Sequence, residues 1–306
     1  MGTPTFSIPT LNALIENGYQ VALVVTQQDK PKGRGGLLAA PPVKEAALTH
    51  GLALAQPARL KDQEFMKMLR EAAPEVIVVV AYGKILPVEI LTLPKYGCIN
   101  LHASLLPKYR GAAPIQWAIM KGEESTGVTT ILMDEGMDTG DILLQRRVEI
   151  GQEENFGSLY IRLAEIGAEL VLVTLNLLPE GKIKPCPQDH GQATYAPPLA
   201  REDEIIDWHR PAKAITNQVR ALDPWPGART FYRGETLKIW RSRTLTGIFN
   251  GLPGEVLDSS TEGVVVQAGE GAVMVLELQL AGGRKLTVAE FLRGHPLPKG
   301  TILGKH

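Results

Sequence analysis

Residues 76–102 read VIVVVAYGKILPVEILTLPKYGCINLH, and the two ends of this stretch decide the fold. VIVVV (76–80) is apolar at every position, the pattern of a strand covered on both faces. GCINLH (97–102) is a second such run that closes on polar side chains. Outward from these, the first 180 residues alternate short β-branched runs with amphipathic segments. The runs at 20–26 (QVALVVT), 128–133 (VTTILM) and 142–150 predict strands, and those at 6–17, 43–50, 62–73 and 115–120 predict helices. A long helix is predicted over 155–178, where Leu159, Leu163, Ile166, Leu170 and Leu177 recur at helical spacing. This alternation implies an α/β domain with a largely parallel sheet.

Beyond residue 178 the style changes. Prolines 179, 185, 187, 197 and 198 mark a linker draped over the surface. A helix at 211–221 follows, then short strands at 228–232, 236–243, 254–258, 263–268, 273–280 and 285–287, the pattern of a small barrel. The expected organisation is residues 1–180, a linker at 181–198, and a second domain at 199–306. With 306 residues and ~100–200 per domain, two domains fit.

Charge is balanced overall: 32 Lys+Arg against 33 Asp+Glu, a net of −1. Residues 205–243 are locally basic, interleaving Arg220, Arg229 and Arg241 with Trp208, Trp225, Phe231, Tyr232 and Trp240. A solvated surface and a nucleic-acid face both fit that pattern. Two cysteines, Cys98 and Cys186, exclude a disulfide framework and a thiolate zinc site. Neither a membrane-length apolar run nor a signal sequence is present, so the expected location is cytoplasmic.

The sharpest chemical signal is Asn100-Leu101-His102 before the loop ASLLPKYRGAAP (103–114). Side chains at i and i+2 of a strand share a face, here at the carboxyl end of a parallel strand, where open α/β sheets bind ligands. A capping Asn and a satisfied core His are the structural alternative. MDEGMDTGD (133–141) adds Asp134, Glu135, Asp138 and Asp141 in a strand-to-strand turn. These are either turn residues or oxygen ligands, though one turn supplies few oxygens for a hard cation. An amide, an imidazole and a carboxylate suit acyl transfer to an amine: two donors steady the developing oxyanion while the carboxylate holds or relays a proton. G-x-S-x-G, Walker A and G-x-G-x-x-G motifs are all missing after the strands, which favours cofactor-independent group transfer.

NLHASLLPKYRGAAP (100–114) with MDEGMDTGD resembles the 10-formyltetrahydrofolate-dependent formyltransferases. GTPTFSIPTL (2–11), VVTQQDKPKGRGG (24–36), PPVKEAAL (41–48), AYGKILP (81–87), RALDPWPGART (220–230) and LKIW (237–240) extend the likeness over essentially the whole chain. It is nearest to the members that act on methionyl-tRNA. The resemblance implies a Rossmann-like catalytic domain, a linker and a C-terminal OB-like β-barrel that binds tRNA. It implies Asn100, His102 and Asp138 as the catalytic trio, and Ser104, Leu105, Leu106 and Pro107 along the folate site. Backbone near residues 82–86 and 133–138 would read the pterin. Lys30, Lys32 and Arg34 would form a basic loop toward the tRNA acceptor stem, with Arg220, Arg229 and Arg241 farther out. The implied donor is 10-formyltetrahydrofolate, the acceptor initiator methionyl-tRNA, with no metal and no obligate protein partner.

Members of this family begin with a short apolar strand ahead of the G-T-P segment, whereas this chain starts Met1-Gly2. The expectation is a missing first strand of roughly 5–6 residues, the usual length. The competing functions are formyl transfer to a small amine such as an amino-sugar nucleotide, an idle tRNA-binding module, and a hydrolase releasing formate.

Overall fold

The computed structural model describes residues 1–32 and 37–304. In chain order the elements are α1 (Ile8–Glu16), β1 (Val24–Val25), β2 (Lys30–Lys32), β3 (Leu37–Ala39), α2 (Pro42–Thr49), β4 (Leu54–Ala55), α3 (Gln63–Glu71), β5 (Ile77–Val80), α4 (Val88–Leu91), β6 (Cys98–His102), α5 (Pro114–Lys121), β7 (Ser125–Leu132), β8 (Asp141–Glu149) and α6 (Phe156–Leu177). After them come α7 (Ala212–Ala221), β9 (Ala228–Tyr232), β10 (Glu235–Leu245), β11 (Val256–Ser260), β12 (Gly263–Gln267), β13 (Ala272–Leu280), β14 (Leu286–Thr287) and α8 (Val288–Phe291). Packing divides the chain into one unit of Met1–Pro114, Ser125–Glu149 and Tyr160–Pro197, and another of Ile115–Glu124, Ile150–Leu159 and Pro198–His306.

In the first unit β5 pairs in parallel with β6, Ile77 opposite Cys98. β7 and β8 then continue the sheet antiparallel, in the order β5-β6-β7-β8. β1 and β4 form a separate parallel pair. The α/β reading holds, and the sheet is parallel through β5 and β6 only. The link between β7 and β8 spans a single turn, too short for the crossover a parallel pair needs. All-apolar β5 buries Ile77 and Val79 against Phe65, Met66 and Leu69 of α3 and Ile90 of α4. The Asp62 side chain starts α3 by accepting the Glu64 N–H at 3.1 Å.

Met1 and Gly2 lie between β1 and β5. The Gly2 N–H donates to the Val25 carbonyl and the Val80 N–H to the Met1 carbonyl, with Gly2 bridged in parallel to Val80. From Met1 a channel of about 390 Å³ runs on between residues 21–25 and 76–80. Of the strand predicted over 20–26, only Val24–Val25 forms, paired with Leu54–Ala55 of β4.

The proline-rich stretch is not draped freely. Ile142 and Cys186 exchange both backbone hydrogen bonds, at 2.8 and 2.9 Å, and Arg110 donates to Thr194 and accepts from Ala196. Its prolines lack N–H donors, but the amides between them pair with the loop and turn beside β6.

In the second unit the antiparallel order is β11-β12-β13-β10-β9, with β14 on β13 and α7 against β10 and β13. Alternate burial along β9 and β10 gives the sheet one core face. Its longest ladder, β10 with β13, shifts register around Arg241. Among the described residues no pairing joins β9 to β11, so the hydrogen bonding does not close a barrel. No helix among the described residues is long and apolar enough to cross a membrane.

Candidate active site

β6 supplies Asn100 and His102 from one face of its carboxyl end, where the strand gives way to loop 103–113. That loop is bolted down from below. Thr129 Oγ1 donates to the Ser104 carbonyl at 2.6 Å, and Gln145 Nε2 donates to the Leu106 carbonyl at 2.9 Å. The turn between β7 and β8 folds back and delivers Asp138, whose backbone is left-handed with φ of 56°. Aspartate is one of the few residues with a short polar side chain that tolerates this region.

The three side chains converge. Asn100 Nδ2 donates to Asp138 Oδ1 at 3.4 Å, and His102 Nδ1 lies 3.6 Å from the same oxygen. Asp138 Oδ2 accepts the Gly111 N–H at 2.8 Å. His102 Nε2 is 2.9 Å from the Tyr109 carbonyl. A carbonyl can only accept, so Nε2 carries a proton and Nδ1 is the nitrogen turned to the carboxylate. His102 is buried and Asp138 half-buried, which strengthens their interaction relative to water. Cys98, two residues before Asn100 on β6, offers no thiolate nucleophile: burial pushes its thiol up to about 12. The set can donate to an oxygen gaining charge and hold a proton between His102 and Asp138.

The other residues singled out by sequence are dispersed. Ser104 is fully buried, and its hydroxyl donates to the Lys108 carbonyl at 2.6 Å. Leu106 is buried, while Leu105 and Pro107 are half-exposed. A cleft of about 830 Å³ opens beside Lys84, Ile85, Leu86 and Glu135. Lys30 lies on β2 and donates to Gln27 at 2.8 Å; Lys32 ends β2, with its side chain outside what is described. Arg34 falls outside the described residues, in the connection from β2 to β3. Arg220 is spent on structure: it donates to Asn217 Oδ1 and to the Gly151 and Glu154 carbonyls, and burial lowers its pKa. Arg229 donates to the Arg201 carbonyl and faces Glu204 at 3.5 Å. Arg241 is 60% exposed, its nearest carboxylate Glu153 at 4.0 Å.

Sequence reasoning missed Tyr109 and Gly111, which act through backbone atoms and so leave no side-chain signature. It also missed Gln188, which hydrogen-bonds the Asp138 turn from a stretch whose composition reads only as linker.

Residues 1–175 match the family model described as Formyl transferase, and residues 198–296 the one described as Formyl transferase, C-terminal domain. A methionyl-tRNA formyltransferase of Pelotomaculum thermopropionicum is 51% identical, covering 100% of this chain and 97% of its own length. One from Caldanaerobacter subterraneus subsp. tengcongensis is 53% identical, covering 99% and 98%. The crystal structure of WlaRD, a sugar 3N-formyl transferase in the presence of dTDP and 5-N-formyl-THF, shares the fold with a TM-score of 0.66 at 19% identity, covering 92% of this chain and 97% of its own.

Proposed function

We propose that this chain, which belongs to the formyl transferase family, transfers the formyl group of 10-formyltetrahydrofolate to the α-amino group of initiator methionyl-tRNA. The products are N-formylmethionyl-tRNA and tetrahydrofolate, for translation initiation in the cytoplasm. The observation that carries this is the meeting of Asn100, His102 and Asp138 at the end of β6, in a chain about half identical, end to end, to enzymes of that name.

The folate supplies an activated formyl group; the residues do the rest. Asn100, through the second N–H of its amide, donates to the formyl oxygen as the amine adds and charge builds on it, while His102, anchored through Nε2–H to the Tyr109 carbonyl, keeps Nδ1 on the Asp138 carboxylate where the proton passes. Asp138 steadies the imidazolium and passes on the proton lost by the amine, so that one proton reaches the departing folate nitrogen. No side chain need form a covalent intermediate. The donor set fits this group, and the cleft beside Lys84–Leu86 and Glu135 offers the pterin and its tail a surface. On this reading residues 1–180 catalyse, 181–198 connect, and 199–306 engage tRNA through Arg229 and Arg241, with the Lys30, Lys32 and Arg34 segment nearer the reacting amine.

Incubation with 10-formyltetrahydrofolate and charged initiator tRNA, with formylmethionyl-tRNA and free formate measured together, tests it. Stoichiometric formyl transfer to the tRNA is expected. Formate release without transfer, or transfer to an amino-sugar nucleotide in preference to tRNA, refutes it.

A further inference from the structure

The Asp138 turn is clasped from outside by one side chain. Gln188 Nε2 donates to the Asp138 carbonyl at 2.8 Å and to the Gly140 carbonyl at 2.7 Å. Gln188 Oε1 accepts from Arg110 Nη2 at 2.7 Å and Nε at 3.2 Å. Both amide hydrogens and both oxygen lone pairs are thus used. Gln188 is 6% exposed and Arg110 2%, so both ends of the clasp are buried. Arg110 lies between Tyr109, whose carbonyl meets His102, and Gly111, whose N–H meets Asp138. Gln188 therefore ties together the two backbone pieces that hold the imidazole and the carboxylate. The Cys186–Ile142 pairing anchors its own segment two residues away.

We propose that Gln188, backed by Arg110, is a positioning residue for formyl transfer. It sets where the Asp138 carboxylate stands relative to His102 and Asn100 without touching either substrate. The left-handed backbone of Asp138 has cheaper conformations within reach, and its contacts to Asn100 and His102, at 3.4 and 3.6 Å, tolerate little drift. Two hydrogen bonds to the turn carbonyls on either side of Thr139 oppose that drift. A filler for buried carbonyls would affect folding alone; a clasp on Asp138 affects the chemical step.

The proposal rests on the catalytic role of Asp138, and a double-mutant cycle separates the two. Gln188→Leu keeps the bulk and removes every hydrogen bond. In the native background it should lower kcat about tenfold to hundredfold, as small misplacements of catalytic groups do, with KM for folate and tRNA little changed. The pH profile of kcat should shift with it. In an Asp138→Asn background the same substitution should lower kcat less than about twofold, because the group it positions is already disabled. Rates are taken per folded molecule, counted by circular dichroism and folate binding. Equal losses in both backgrounds, or an unchanged kcat and pH profile in the native one, overturn the proposal. Full activity of Asp138→Asn alone refutes the catalytic assignment instead. If Gln188→Leu does not fold, Gln188→Glu enters the same cycle, since it keeps an acceptor for Arg110 and loses the donors to the turn. Arg110→Lys, with one donor in place of the fork, should give an intermediate loss.

Discussion

At the Asp138 carboxylate one oxygen faces both Asn100 and His102 and the other is held by the Gly111 amide. Removing a positioned group that handles the proton typically costs ~10²–10⁴ in rate. His102→Ala and Asp138→Asn should each lose turnover on that scale while leaving tRNA affinity intact. Single-turnover transfer and filter binding check it, and equal loss of binding refutes it. Gly111 makes a different demand. Its φ is 118°, and an added Cβ would meet the Ala196 carbonyl at 2.7 Å. Gly111→Ala should therefore cost ~1–3 kcal/mol in urea unfolding and lower kcat by moving the N–H away from Asp138. Unchanged stability with unchanged kcat would show that the loop yields freely. Arg34→Ala should reduce transfer more than tRNA binding, because a residue that positions the acceptor end acts in the transition state. Turnover and initiator preference, measured together, decide.

Among the elements, the short strand position of Met1–Gly2 carries a pH signature. The Met1 ammonium donates to the Val78 carbonyl at 2.6 Å, and burial lowers its pKa from 8.0 to about 6. Between those values the unfolded chain holds the extra proton, so folding stability should rise with pH, by up to ~2–3 kcal/mol. Below about 6 the ammonium is charged in both states and the full penalty applies. Urea unfolding at pH 5.5 and 8.5 tests this, and equal stability at the two would refute it. Legibility in the sequence also divides by element. β5, β6 and α6 were plain because an unbroken apolar run or a long helical stripe is a local signal. α4 and the β2–β3 hairpin were not, since each is too short to display a period.

Across the whole molecule, the basic residues after 200 separate into two kinds. Arg241 is exposed, whereas Arg220 is committed to carbonyls of its own unit. Arg241→Ala should weaken all tRNAs alike and lower the salt slope by ~1. Arg220→Ala should instead lower Tm and cost about 1 kcal/mol of stability, since the Asn217 side chain and the Glu154 carbonyl lose a donor. Salt titrations of tRNA affinity beside thermal melts distinguish them. Matching salt slopes for the two variants would contradict the division.

The sequence by itself determined the α/β class, the elements with strong periodicity, and the pairing of Asn100 with His102, because a strand's two-residue repeat is a property of the backbone alone. It also marked Asp138, through its motif. Only the tertiary structure decided that Asp138 meets them, across 38 residues of chain, and that Arg220 points inward. The role of Gln188 lay there too: its hydrogen bonds run to carbonyls, which every residue owns, so nothing in the identity of residues 138 and 140 announces the partner.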